Sequence, residues 1–114
     1  MSHFFRLRLL PALLLLGVSA AVTAADPPAG DPDRGRTKAY TCRGCHGIPG
    51  YRNVYPHYHV PLIAGQNEAY LVEALQSYRR GSRSHPTMRA QGMTLSDQDI
   101  ADIAAFLARA GDRP

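Results

Sequence analysis

The stretch Cys42-Arg43-Gly44-Cys45-His46 decides how this 114-residue chain is read, and it holds the only two cysteines. Residues at i, i+3 and i+4 share one face of a helical turn. Two thiols and an imidazole are therefore predicted to project from the same side of a single turn. A disulfide between the two cysteines would close a tiny loop and do little to staple a domain, even in an oxidising compartment. A thioredoxin-like redox pair expects an alternating strand and helix context, which the chain lacks. A zinc site drawing on Cys42, Cys45 and His57 or His59 would place one tyrosine between its histidines, where zinc fingers keep three to five residues.

Covalent haem attachment accounts for all three side chains. The Cys-x-x-Cys-His spacing is the c-type haem signature, with Cys42 and Cys45 as thioether anchors and His46 as the first axial ligand of the iron. Electron-transfer haems commonly fill the second axial position with a methionine thioether. Met88 and Met93 are the candidates, and both stand in a polar stretch, residues 82–94, read as a loop. Pro86 stiffens the approach to Met88 and favours it, with Met93 as the alternative. His57 and His59 fall on the same side of an extended segment and read as partly exposed loop histidines, as does His85. Arg79, Arg80, Arg83 and Arg89 gather near this stretch. They form a solvated face, or one or two of them meet haem propionates or an acidic redox partner.

Outward toward the N-terminus, Arg6 and Arg8 precede an apolar run at residues 9–18 and a small-residue stretch at 19–25. These are the three parts of a secretory signal peptide. The run is shorter than the roughly 20 residues that span a bilayer, so cleavage near Ala24 or Ala25 is expected. Residues 1–25 are then the leader, 26–32 a proline-rich extended lead-in, and 33–114 one small domain in the bacterial periplasm with no stable membrane span. Without Arg6 and Arg8 the balance is 11 basic to 9 acidic side chains, a net +2. No basic block interleaved with aromatics exists, which excludes a nucleic-acid binder.

Helix signals are unequal along the domain. A first short helix is predicted from near Asp33 toward Cys42, carrying Ala39 and Tyr40. Residues 47–61, with Tyr51, Tyr55, Pro56, His57, Tyr58 and His59, lack periodicity and read as a loop around something large and apolar. Asn67 caps a second helix with Tyr70, Leu71, Ala74, Leu75 and Tyr78 on its apolar steps. Arg79 and Arg80 suit its last turn and Gly81 its stop. Ser96 and Asp99 open a final helix striped with Ile100, Ile103, Ala104 and Leu107, ending at Gly111. There is no internal repeat and no convincing strand. Loops this long in so small a domain point to a buried cofactor.

Over residues 31–109 the chain resembles class I cytochromes c, both single-haem periplasmic proteins and the halves of dihaem ones. Besides Cys42 to Gly47, the resemblance rests on Pro61-Leu62-Ile63-Ala64-Gly65-Gln66, Tyr70-Leu71, Leu75 and Tyr78-Arg79-Arg80-Gly81. It continues through Met88, Leu95-Ser96-Asp97-Gln98-Asp99-Ile100 and Ala105-Phe106. It implies an all-α cytochrome c fold of three to four helices and long loops around one covalent haem c per chain. It also implies that Gly35 lets the first helix cross the last near Phe106. Pro61 offers its carbonyl to the ligand histidine's other nitrogen, and Met88, seven residues before Leu95, is the distal ligand. Tyr40 sits one place later than the aromatic common before the first cysteine, and the loop at 47–60 is unusually rich in tyrosine and histidine. The function implied is single-electron transfer between redox protein partners with no substrate chemistry, alone or as the cytochrome subunit of an oxidoreductase. A haem enzyme or sensor with an open sixth site, which requires Met88 off the iron, is the alternative.

Overall fold

The computed structural model describes residues 26–54 and 57–111; residues 1–25, where a leader is expected, Tyr55, Pro56 and residues 112–114 lie outside the described residues. The order is α1 (Pro32–Lys38), α2 (Tyr40–His46), α3 (Glu68–Arg80), α4 (Pro86–Met93) and α5 (Asp97–Ala110). Among the described residues the only pairing of extended backbone is an isolated antiparallel bridge between Arg52 and His59. The fold is thus all-α as expected, with five helices among the described residues in place of three to four.

The split of the predicted first helix and the added α4 have local causes. The predicted first helix is interrupted at Ala39, where ψ is 2°. The backbone bonds run on across the break, with the Ala39 N–H on the Gly35 carbonyl at 2.8 Å and the Arg43 N–H on the Ala39 carbonyl at 3.2 Å. Ala39 itself is fully buried, so its small side chain seats the bend in the core and Tyr40 is left outside, 77 % exposed. Residues 82–94, read as a loop, contain α4. Its start is set by the His85 cap and by Pro86 in the first turn, a position where proline's missing N–H costs nothing. It lacks the apolar stripe by which a helix is usually recognised, and Gly92 is its one buried residue.

The stronger helices fold as their caps dictate. The Asn67 side chain accepts from the Tyr70 N–H at 2.9 Å, and Gly81 ends α3 in the left-handed region at φ 79°. Ser96 and Asp99 form a reciprocal capping box at the start of α5. Instead of showing one apolar stripe, α5 is buried over eight consecutive residues from Ile100 to Leu107. α1 covers one flank and α3 another, and Ala39, Leu71, Ile103, Ala104, Phe106 and Leu107 make the core between them.

Gly35 is the contact point of α1 on α5. A Cβ there would run into the Asp102 carbonyl oxygen and lie 2.8 Å from the Phe106 Cβ, so only glycine permits this approach. The crossing is fastened by Asp102, whose side chain is fully buried. Its carboxylate accepts from the Asp31 N–H at 2.8 Å, Arg34 Nε at 3.0 Å and Nη2 at 3.1 Å, Lys38 Nζ at 2.8 Å and Gln98 Nε2 at 2.9 Å. The Arg34 guanidinium, with Lys38 and the Asp31 N–H behind it, holds this carboxyl far below the usual carboxylate range against the opposing effect of burial. Asp99 beside it is lowered to about 2, first by Lys38 and then by Ser96.

Candidate functional site

α2 carries Cys42, Cys45 and His46 within two turns, so the predicted shared face is met by the backbone. Both cysteines are free thiols, Cys42 half-buried and Cys45 exposed. Burial pushes the Cys42 thiol above its ordinary value. Gly47 closes the helix by donating its N–H to the Arg43 carbonyl at 3.0 Å.

His46 Nδ1 lies 2.7 Å from the Pro61 carbonyl oxygen. A carbonyl can only accept, so Nδ1 carries the proton and Nε2 keeps its lone pair. Pro61 is held in turn by the residues that follow it. Gly65 turns with φ 76° and donates its N–H to the Leu107 carbonyl at 2.8 Å. At the end of α5, Gly111 is so close to Gly65 that a Cβ on it would strike the Gly65 backbone. Gly111 therefore serves close approach, its own φ being an ordinary −75°. A cleft of about 240 Å³ opens beside α2, lined by Cys42, His46, Ile63, Phe106, Leu107 and Ala110 among others. Ile48 and Leu62, which flank the motif and Pro61 in sequence, are exposed apolar side chains. Two free thiols, an imidazole with its distal nitrogen available, and apolar surface beside them suit the anchors, ligand and walls of a covalent haem.

The two methionines both belong to α4 and differ in surroundings. Met88 is half-buried in its first turn, and its N–H donates to His85 Nδ1 at 3.3 Å. Met93 ends the helix at 62 % exposure. His57 and His59 are exposed. Among the described residues no group of three or more histidine, cysteine or acidic side chains gathers into a metal cluster, so Cys42 and Cys45 are not brought together with His57 or His59 as the zinc alternative requires.

The arginines are largely committed within the chain. Arg79 pairs with Asp97 and donates to the Leu95 carbonyl at 3.1 Å. Arg80 pairs with Glu73 at 2.7 Å. Arg83 donates to the Tyr70 hydroxyl at 3.1 Å and lies 4.7 Å over the Tyr78 ring. Arg89 reaches back against Gly81. Sequence reasoning passed over Asp102, because an acidic residue among helix-forming neighbours carries no mark of burial. It also passed over Tyr58, whose hydroxyl lies 2.8 Å from Thr87 Oγ1.

An all-α domain whose Cys-x-x-Cys-His helix presents an oriented imidazole has the architecture of a c-type cytochrome. The chain belongs to the cytochrome c family, whose model matches residues 33–110, and covalent haem c is the cofactor that membership implies. It is 39 % identical to cytochrome c4 of Pseudomonas aeruginosa over 88 % of this chain and 46 % of that protein. It is 43 % identical to cytochrome c-554(548) of Halomonas halodenitrificans over 68 % of this chain and 94 % of that protein. The crystal structure of reduced cytochrome c4 from Pseudomonas stutzeri superposes with a TM-score of 0.58 at 37 % identity, covering 70 % of this chain and 45 % of that one. The chain thus spans about half the length of the cytochrome c4 relatives it matches. Among the described residues no helix is long and apolar enough to cross a membrane.

Proposed function

We propose that this chain is a single-electron carrier of the bacterial periplasm. In this reading residues 1–25 are a cleaved leader, 26–32 a lead-in and 33–114 a domain holding one haem c. Cys42 and Cys45 anchor the haem through thioethers, and His46 and Met88 are its axial ligands. When bound, the haem supplies an iron that accepts and returns one electron. The chain's own part is to hold and orient. The Pro61 carbonyl fixes the His46 ring and strengthens Nε2 as a donor, the role such outer bonds play at metal sites. The thioether anchors keep the cofactor in a domain too small to retain it by packing alone. A Met88 thioether favours the reduced metal. Redox proteins are the partners, one donating and one accepting.

The observation that carries this reading is the 2.7 Å contact from His46 Nδ1 to Pro61, which turns the imidazole's second nitrogen into an available ligand beside two free thiols. The test is reversible one-electron titration of the purified exported protein, with the ferric spectrum recorded alongside. A single one-electron wave and a methionine–iron band at the red end of the spectrum are expected. A five-coordinate spectrum that takes up exogenous ligands without displacing a sulfur ligand would instead establish the enzyme or sensor alternative.

A further inference from the structure

We infer that Tyr58 and His85 are positioning residues for the iron-binding methionine, clamping the turn of α4 on which Met88 sits; the inference rests on the proposal that Met88 is the distal ligand. α4 has eight residues, fewer than the roughly 12–15 that make an isolated helix stand on its own. Its first turn therefore depends on what holds it from outside.

Three segments of the chain converge there. His85 adopts extended backbone at φ −165° as the N-cap, and its Nδ1 accepts the Met88 N–H at 3.3 Å. The same backbone unit that carries the methionine side chain is thus tied to an imidazole. That imidazole is held by two aromatic rings. Tyr58 meets it edge-on at 4.6 Å and 74°, and Tyr78 of α3 at 6.1 Å and 78°. Tyr58 also holds the next residue but one, through its hydroxyl on Thr87 Oγ1 at 2.8 Å. It reaches α4 from the loop that follows the attachment helix. There the Asn53 N–H donates to the Tyr58 carbonyl and the Val60 N–H to the Tyr51 carbonyl, both at 2.9 Å. The tyrosine- and histidine-rich character of this loop, which the attachment motif leaves unexplained, has a use here. Tyr58 joins the segment next to the His46 ligand to the helix that bears Met88.

A ligand held by its supporting contacts stays on its metal more firmly than one left to find its own position. Loosening the clamp weakens the thioether bond and moves the iron toward the ferric state, since methionine ligation is what raises the potential.

The test uses the haem-loaded protein with Tyr58→Phe, His85→Ala and His85→Asn, alongside Met88→Ala and Met93→Ala. Three readouts are needed: hydrogen exchange at the Met88 amide, the red-end methionine–iron band on warming, and the reduction potential. His85→Ala is expected to speed Met88 amide exchange about fivefold or more, the effect of losing an N-cap. It should also lose the band at lower temperature and lower the potential. Asparagine is a strong N-cap but offers Tyr58 and Tyr78 no ring, so His85→Asn should recover exchange and band in part. Tyr58→Phe keeps the ring and drops the hydroxyl bond, and should fall between wild type and His85→Ala. Wild-type exchange and potential in both Tyr58→Phe and His85→Ala would overturn the inference, as would a His85→Asn protein no better than His85→Ala. If Met93→Ala, and not Met88→Ala, removes the band, the ligand assignment itself has failed. That failure shows in the methionine variants and so is distinguishable from failure of the clamp.

Discussion

Replacing Asp102 by Asn tests the fastening of α1 to α5 with almost no change of volume. The native carboxylate takes five donors from four residues and is wholly shielded from water. An asparagine can keep its oxygen on the Asp31 N–H and on Gln98. Its amide group then faces Arg34 Nε and Lys38 Nζ, donor against donor. Two charge-assisted bonds are lost, each worth about 1.5–3 kcal/mol. Arg34 and Lys38 are 55 % and 31 % exposed, so water recovers part of their solvation and the lower end applies. A loss of about 3 kcal/mol is expected, or about 12–24 °C in melting temperature for a domain of this size.

The pH dependence gives the same variant a second test. A carboxyl with a lowered folded-state pKa contributes stability that is complete above the unfolded value and is lost as pH falls toward the folded one. The difference between wild type and Asp102→Asn should hold steady from pH 5 to 8. Below pH 4 it should shrink by about 1.4 kcal/mol per unit, since only wild type then has an unfolded state that takes up this proton. Asp99, lowered to about 2 chiefly by the Lys38 that it shares with Asp102, titrates in both proteins, and an Asp99→Asn background removes its share from the comparison. Urea unfolding followed by circular dichroism at several pH values measures it. A difference under 1 kcal/mol at pH 7, or one that fails to narrow in acid, would refute the role given to Asp102.

Two further substitutions probe the close approaches. Gly35→Ala puts a methyl into the Asp102 backbone carbonyl, which cannot move aside as a flexible side chain could; a loss of about 3 kcal/mol is expected in the same unfolding assay, the upper part of the range for overpacking. An unchanged melting curve would mean that α1 does not cross where described. Gly65→Ala forces a side chain into the left-handed region at φ 76°, costing about 1–2 kcal/mol, and strains the turn that presents the Pro61 carbonyl. Its reduction potential should shift as well as its stability, and a potential identical to wild type would separate the turn from His46.

The two long helices and the attachment turn were legible because their signals are local. Asn67, Gly81, Ser96 and Asp99 mark helix ends within a few residues of sequence, and the Cys-x-x-Cys-His spacing needs only one helical face. α4 was not legible, because it is short, polar and built from its cap and Pro86 without an apolar face. The bend at Ala39 depends on what the core leaves room for. Asp102 could not be recognised as buried without the α1 crossing, since its partners Asp31, Arg34 and Lys38 lie more than 60 residues away in sequence. The link from His46 to Pro61 spans 15 residues and came from the family resemblance, not from any local pattern. Tyr58 and His85 were visible only as members of an unexplained aromatic loop and a polar stretch.

The haem anchors are tested most directly by the intact mass and visible spectrum of the exported protein, taken after full denaturation and acid–solvent extraction. A chain beginning near residue 25 or 26, heavier by one haem and retaining its colour through extraction, is the expected result, with no haem retained by a Cys42→Ala, Cys45→Ala double variant. A bare polypeptide mass from cells that mature such cofactors would contradict the assignment, as would pigment that extracts freely.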